Sequence, residues 1–130
     1  MGSGAKSVII VEDETDTAEM FGEMLRLQGY QVQKSFGSQP AMDLISRAKP
    51  DIVILDVMMP DCSGLEVLHF MKRDPALVKI PVVIVSAKCL PEDVKDGIEA
   101  GARVYLDKPV SFKDLIKVIE DTLSSSHPAV

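Results

Sequence analysis

The sequence predicts a doubly wound α/β sandwich: a parallel sheet covered by helices on both faces. Three observations carry this. The runs Val8-Ile9-Ile10-Val11, Ile52-Val53-Ile54-Leu55, Val82-Val83-Ile84-Val85 and Val104-Tyr105-Leu106 are continuously apolar or β-branched, the pattern of strands buried on both faces. Segments of helical apolar spacing lie between them, so successive strands are joined by crossovers. The most unusual polar residues, Glu12-Asp13, Asp56, Ser86 and Lys108, each follow the C-terminal end of one run. In an open parallel sheet the ligand crevice lies outside those ends.

The elements follow in order. After the first strand and an acidic turn, Thr15–Gln28 carries Ala18, Phe21, Met24, Leu25 and Leu27 near helical spacing, with Gly29 as the stop. Tyr30–Ser35 is more polar and reads as an edge strand. Ser38 and Pro40 open a short helix with Ala41, Leu44, Ile45 and Ala48 on its apolar stripe, and Pro50 ends it. Asp51–Val57 is the most apolar strand. Met58–Gly64 is a loop, and Leu65–Arg73 is a helix with Leu65, Leu68 and Met71 on one face, closed by Asp74-Pro75. Pro81 leads into the fourth strand. Pro91-Glu92-Asp93 opens a helix with acids at its positive end, with Val94, Ile98 and Ala102 expected to face the sheet and Gly101 as stop. Arg103–Leu106 is the fifth strand. Ser111-x-x-Asp114 resembles a capping box for a last helix through Leu115, Ile116, Val118, Ile119 and Leu123. Residues 1–6 read as a disordered segment or an expression scar, 7–124 as the domain, and 125–130 as a flexible tail or truncated linker.

A chain of 130 residues, 46% hydrophobic and 26% charged, fits one globular domain with its own core. No apolar stretch approaches the roughly 20 residues that cross a bilayer, and the start has no signal core. With 20 acidic against 14 basic residues the net charge is −6, which argues against direct nucleic-acid binding. Cys62 and Cys89 form no disulfide framework and have no metal-ligand spacing, so a reduced, cytoplasmic location is expected.

The strand-end residues suggest chemistry. Three carboxylates, a hydroxyl and an ammonium in one crevice suit a divalent cation and a phosphoryl group. Glu12-Asp13-Glu14 crowds like charges; one of them caps the following helix, and a hard cation with oxygen ligands would relieve the rest. Asp56 follows a buried strand, where a lone carboxylate is costly without a partner. Its functional reading is a nucleophile that forms an acyl phosphate, with the cation and Lys108 neutralising charge. Ser86 would donate to a phosphoryl oxygen. The Lys108-Pro109 bond is of the one type that adopts cis cheaply.

These residues carry a resemblance. The chain resembles receiver domains of two-component response regulators, the family typified by the chemotaxis protein CheY, through Val8–Glu14, Asp56-Val57-Met58-Met59-Pro60-Asp61-Cys62-Ser63-Gly64, Val85-Ser86-Ala87, Ala100-Gly101-Ala102 and Tyr105-Leu106-Asp107-Lys108-Pro109. The resemblance implies a flavodoxin-like, five-stranded sheet of order 2-1-3-4-5 and a phosphoacceptor role for Asp56, with a sensor histidine kinase or phosphotransfer protein as donor. It implies Mg²⁺ on Asp13, Asp56 and the Met58 backbone carbonyl, with Glu12, where the family usually has Asp, acting through water. Ser86, in place of the commoner Thr, and Tyr105 match the coupled switch pair. Met58 and Lys88 hold the positions that tune dephosphorylation. Signalling is expected through the fourth helix, fifth strand and fifth helix, to an output domain, a downstream protein or a second copy. The domain is expected to catalyse only its own phosphorylation and slow dephosphorylation.

Other readings fit less well. A haloacid-dehalogenase-like phosphatase wants a second Asp two positions after the nucleophile, where Met58 stands. A phosphorylation-independent pseudo-receiver would lack some of the acids or the lysine. A flavodoxin would have a hydroxyl- or glycine-rich first turn where this chain is acidic.

Overall fold

The computed structural model describes residues 5–58 and 64–124. The expectations for residues 1–4, for Met59-Pro60-Asp61-Cys62-Ser63 and for the tail lie outside the described residues. The elements alternate as β1 (Ser7–Val11), α1 (Thr15–Leu27), β2 (Gln31–Ser35), α2 (Ser38–Ala48), β3 (Ile52–Leu55), α3 (Leu65–Arg73), β4 (Val82–Ser86), α4 (Pro91–Glu99), β5 (Val104–Asp107) and α5 (Phe112–Ser124). The strands form one parallel sheet in the order β2-β1-β3-β4-β5. The fold class, the strand order and the edge position of the polar β2 are therefore as expected.

The continuous apolar runs now have a physical account. Successive side chains of a strand point to opposite faces, and here both faces are covered. Ile9, Val11, Val53, Leu55, Val82 and Ile84 belong to a core with Ala41, Ile45, Val67, Leu68 and Met71 of α2 and α3. Val8, Ile10, Ile52, Ile54, Val83 and Val85 belong to a second core with Ala18, Phe21 and Leu25 of α1 and Leu115 and Ile119 of α5. A strand with only one covered face would have alternated.

Several local expectations are corrected. Leu27 is 82% exposed, because it lies two residues, about 200° of helix, from the buried Leu25. Ala48 is exposed and Leu44 only half-buried. In α4 the buried position is Gly97, while Ile98 is 44% exposed and Val94 half-buried. The helix packs so closely that its sheet-facing position has no room for a side chain. β3 ends at Leu55, and Asp51 precedes it, accepting the Ser7 backbone N–H at 2.8 Å. β5 begins at Val104 and extends to Asp107. At the start of α5 half of the expected capping box forms: the Asp114 N–H donates to Ser111 Oγ at 3.1 Å. Among the described residues no helix is long and apolar enough to cross a membrane.

Candidate functional site

The sheet's backbone ladder continues past its strands and sets the site. The Asp56 N–H donates to the Val11 carbonyl at 2.9 Å, the Glu12 N–H to Ser35 at 3.2 Å and the Lys108 N–H to Ser86 at 3.0 Å. Glu12, Asp56 and Lys108, far apart in sequence, are thereby held level at one sheet edge. Lys108 precedes a cis peptide bond to Pro109.

Lys108 Nζ lies 2.8 Å from Glu12 Oε1 and 3.0 Å from Asp56 Oδ2. Glu12 is 3% exposed and Asp56 6%, so both carboxylates are withdrawn from water, and each needs the ammonium to offset its lost hydration. The second oxygen of each is also engaged. Glu12 Oε2 accepts the Glu14 N–H at 3.2 Å, and Asp56 Oδ1 accepts the Met58 N–H at 2.9 Å. Burial raises the Glu12 carboxyl above its ordinary value, against the lowering effect of Lys108 and the Glu14 N–H. Burial alone would lower the Lys108 ammonium, but its hydrogen bonds to Glu12 and Asp56 outweigh it and the net shift is upward.

Asp13 is placed differently from its neighbour. Its Oδ1 accepts the Gly37 N–H at 3.0 Å, which ties the acidic turn to the β2–α2 connection. It does not cap α1. Glu14 stands at the N-cap without a side-chain cap bond and accepts the Thr17 hydroxyl at 3.0 Å. Glu12, Asp13, Glu14, Asp56, Met58, Ala87 and Lys108 line a cavity of about 240 Å³. Among the described residues no three acidic, His or Cys side chains close around a point by themselves. That is compatible with magnesium, which takes one or two carboxylates and keeps several waters. The four carboxylates on the wall of this cavity are oxygen donors of the kind such an ion takes.

Ser86 is fully buried at the end of β4. Its Oγ accepts the Lys88 N–H at 3.1 Å, and the Tyr105 hydroxyl donates to the Lys88 carbonyl. Both groups therefore hold one residue of the β4–α4 connection. The Lys88 ammonium faces Asp93 at 3.8 Å, and Asp93 also accepts the Leu90 N–H. Met58 is 53% exposed on the cavity wall. Cys89 donates its thiol to the Ser86 carbonyl at 3.1 Å. Burial, followed by the nearby Asp107 carboxylate, pushes that thiol up to about 11, which removes it as a nucleophile.

Two glycines shape the site without supplying chemistry. A Cβ on Gly64 would stand 2.5 Å from the Asp56 carbonyl oxygen and 2.7 Å from Val57 Cα. A Cβ on Gly97 would stand 2.8 Å from Tyr105 Cδ2. Neither glycine is among the site residues expected from the sequence. For Gly97 the signal in the sequence is a glycine inside an otherwise good helical segment, which costs about 1 kcal/mol relative to alanine and so calls for a packing reason; Gly64, at the end of a loop, carries no such signal.

A model of the response regulator receiver domain matches residues 8–120. The chain belongs to this family. It is 34% identical over 123 residues to the phosphate regulon transcriptional regulatory protein PhoB of Pseudomonas aeruginosa, spanning 95% of this chain and 54% of PhoB. It is 32% identical to the polar-differentiation response regulator DivK of Brucella anthropi, over 93% of this chain and 98% of DivK. The chain thus spans about half of the first relative and nearly all of the second. Among solved structures, it is similar to a CheY-like receiver domain protein from Methanospirillum hungatei, with TM-score 0.88, 25% identity and coverage of 95% and 97%. It also resembles the receiver domain of a signal transduction histidine kinase from Syntrophus aciditrophicus, with TM-score 0.86, 30% identity and 97% coverage of both chains. The receiver is a signalling domain of two-component systems rather than an enzyme acting on a separate substrate.

Proposed function

We propose that this receiver is a phosphorylation-driven switch with Asp56 as the phosphoacceptor, the unit being residues 7–124. The observation that carries the reading is Lys108 Nζ at 3.0 Å from Asp56 Oδ2 on the wall of an open cavity. A carboxylate attacking an anionic phosphoryl group needs positive charge already in place. The donor is the phosphohistidine of a sensor histidine kinase or phosphotransfer protein. An Asp56 oxygen bonds to phosphorus, the phosphorus–nitrogen bond breaks, and the electron pair leaves with the imidazole, which takes a proton. Lys108 then balances the phosphoryl charge.

Asp13, Asp56 and the Met58 carbonyl would hold Mg²⁺, with Glu12 reaching it through water. Bound there, the ion would neutralise charge on the phosphoryl oxygens. Lys108 keeps Glu12 and Asp56 from repelling one another, and the Gly37 N–H fixes the Asp13 carboxylate at the cavity wall.

Ser86 and Tyr105 are the readout. If the Ser86 hydroxyl turns toward a phosphoryl oxygen, the Lys88 N–H loses its acceptor. Lys88 also holds the Tyr105 hydroxyl, so one hydroxyl rotation disturbs the anchor of the ring and the face formed by α4, β5 and α5. That face would signal to an output domain, a downstream protein or a second copy in the cytoplasm. Met58 and Lys88 flank the path of the hydrolytic water and would set the lifetime of the acyl phosphate.

The test is exposure of the chain to acetyl phosphate with Mg²⁺, followed by intact mass spectrometry. One added phosphate is expected on the parent and none on Asp56→Ala. Phosphate retained by that variant, or absent from the parent, refutes the mechanism.

A further inference from the structure

We infer that Gly97 is a positioning residue for Tyr105: the side chain it lacks leaves the ring its place against α4. The inference deepens the proposed switch and rests on Tyr105 being its moving ring.

A Cβ at position 97 would lie 2.8 Å from Tyr105 Cδ2 and 2.9 Å from Cε2, inside any tolerated carbon contact, and 3.0 Å from Ile84 Cδ1. Ile84 is fully buried, so it has nowhere to yield in a close-packed core. The Tyr105 ring is half-buried and is the partner able to move. Moving it outward withdraws its hydroxyl from the Lys88 carbonyl. The residue at 97 thus decides whether the ring can lie against the helix while its hydroxyl holds the β4–α4 connection.

Helix geometry supplies an independent argument. Gly97 occupies the interior of α4, where glycine weakens a helix relative to alanine, and it is the buried residue of that helix. Gly22 in α1 provides the contrast, since a Cβ there would meet nothing nearer than 3.6 Å. Position 97 is where helix propensity and ring packing oppose one another.

The chain has two tyrosines and no tryptophan, so Tyr30→Phe leaves Tyr105 as the single emitter. In that background Gly97→Ala is expected to lower the folding equilibrium constant at least fivefold and to raise acrylamide quenching of Tyr105 at least twofold. In a Tyr105→Ala background the same substitution is expected to lower the folding constant less than threefold, or to raise it, because the Ile84 contact alone then opposes helix propensity. A difference of more than threefold between backgrounds, or a rise in quenching, supports the inference. Equal effects to within threefold with unchanged quenching overturn it, as does failure to fold in both backgrounds. None of these readouts uses a phosphodonor, so an unphosphorylated chain refutes the switch without deciding the role of Gly97.

Discussion

Lys108 Nζ approaches Glu12 Oε1 more closely than Asp56 Oδ2, at 2.8 against 3.0 Å. Glu12 also receives the Glu14 N–H, so both of its oxygens are engaged within the protein. Glu12 and Asp56 thereby share the one Lys108 ammonium.

This pairing has a pH signature. The folded state holds Lys108 protonated above its ordinary value of 10.5. Its stabilising contribution is therefore complete below about 10.5 and disappears as pH rises through the higher folded value. In EDTA, the parent should exceed Lys108→Met by about 1–3 kcal/mol near neutral pH. Urea denaturation at increasing pH should show this gap narrowing above about pH 10.5. A gap that stays constant into strong alkali contradicts the assignment.

Gly64→Ala and Gly22→Ala should move stability in opposite directions. The first drives a Cβ into the Asp56 carbonyl and Val57 Cα, backbone atoms that cannot swing away, and should cost about 1–3 kcal/mol. The second places a methyl in ordinary contact distance on α1 and should gain about 0.5–1 kcal/mol from helix propensity. Equilibrium denaturation measures both, and a neutral Gly64→Ala would show that the backbone beside Asp56 is not tightly constrained.

Cys89 should be chemically quiet. A thiol held at about 11 carries only about a thousandth of its population as thiolate near pH 8, against roughly a quarter for an ordinary cysteine. In a Cys62→Ser background, iodoacetamide alkylation of the folded chain should run about a hundredfold slower than that of the urea-unfolded chain. Comparable rates would mean that Cys89 is not held as the structure indicates.

Met58→Asn should shorten the life of phospho-Asp56 severalfold. The methionine is exposed on the cavity wall and offers water no hydrogen bond, whereas an amide can orient one. Radiolabel decay after removal of the phosphodonor reports the lifetime, and an unchanged value removes Met58 from the tuning role.

Much of the fold was legible because burial on two faces leaves an unbroken apolar run, and because Gly29, Pro50 and Gly101 mark element ends chemically. Glu12, Asp56 and Lys108 stood out for a related reason: each is a charge following an apolar strand. Apolar spacing on a helix does not by itself mean contact with the sheet. Leu27 and Ile98 face outward although each is strongly hydrophobic, because a helix buries one stripe and its neighbours decide which.

The sequence by itself determined the layer architecture and the residues able to act at one sheet edge, since local pattern encodes how many faces of each strand are buried. Only the tertiary structure decided how those residues divide the work. It joined Lys108 to an acid 96 positions away, tied Asp13 to Gly37, hung Ser86 and Tyr105 on Lys88, and pressed α4 against the Tyr105 ring at Gly97. Such contacts depend on distances between separately folded segments, set by the summed packing of both cores and encoded in no single stretch of chain.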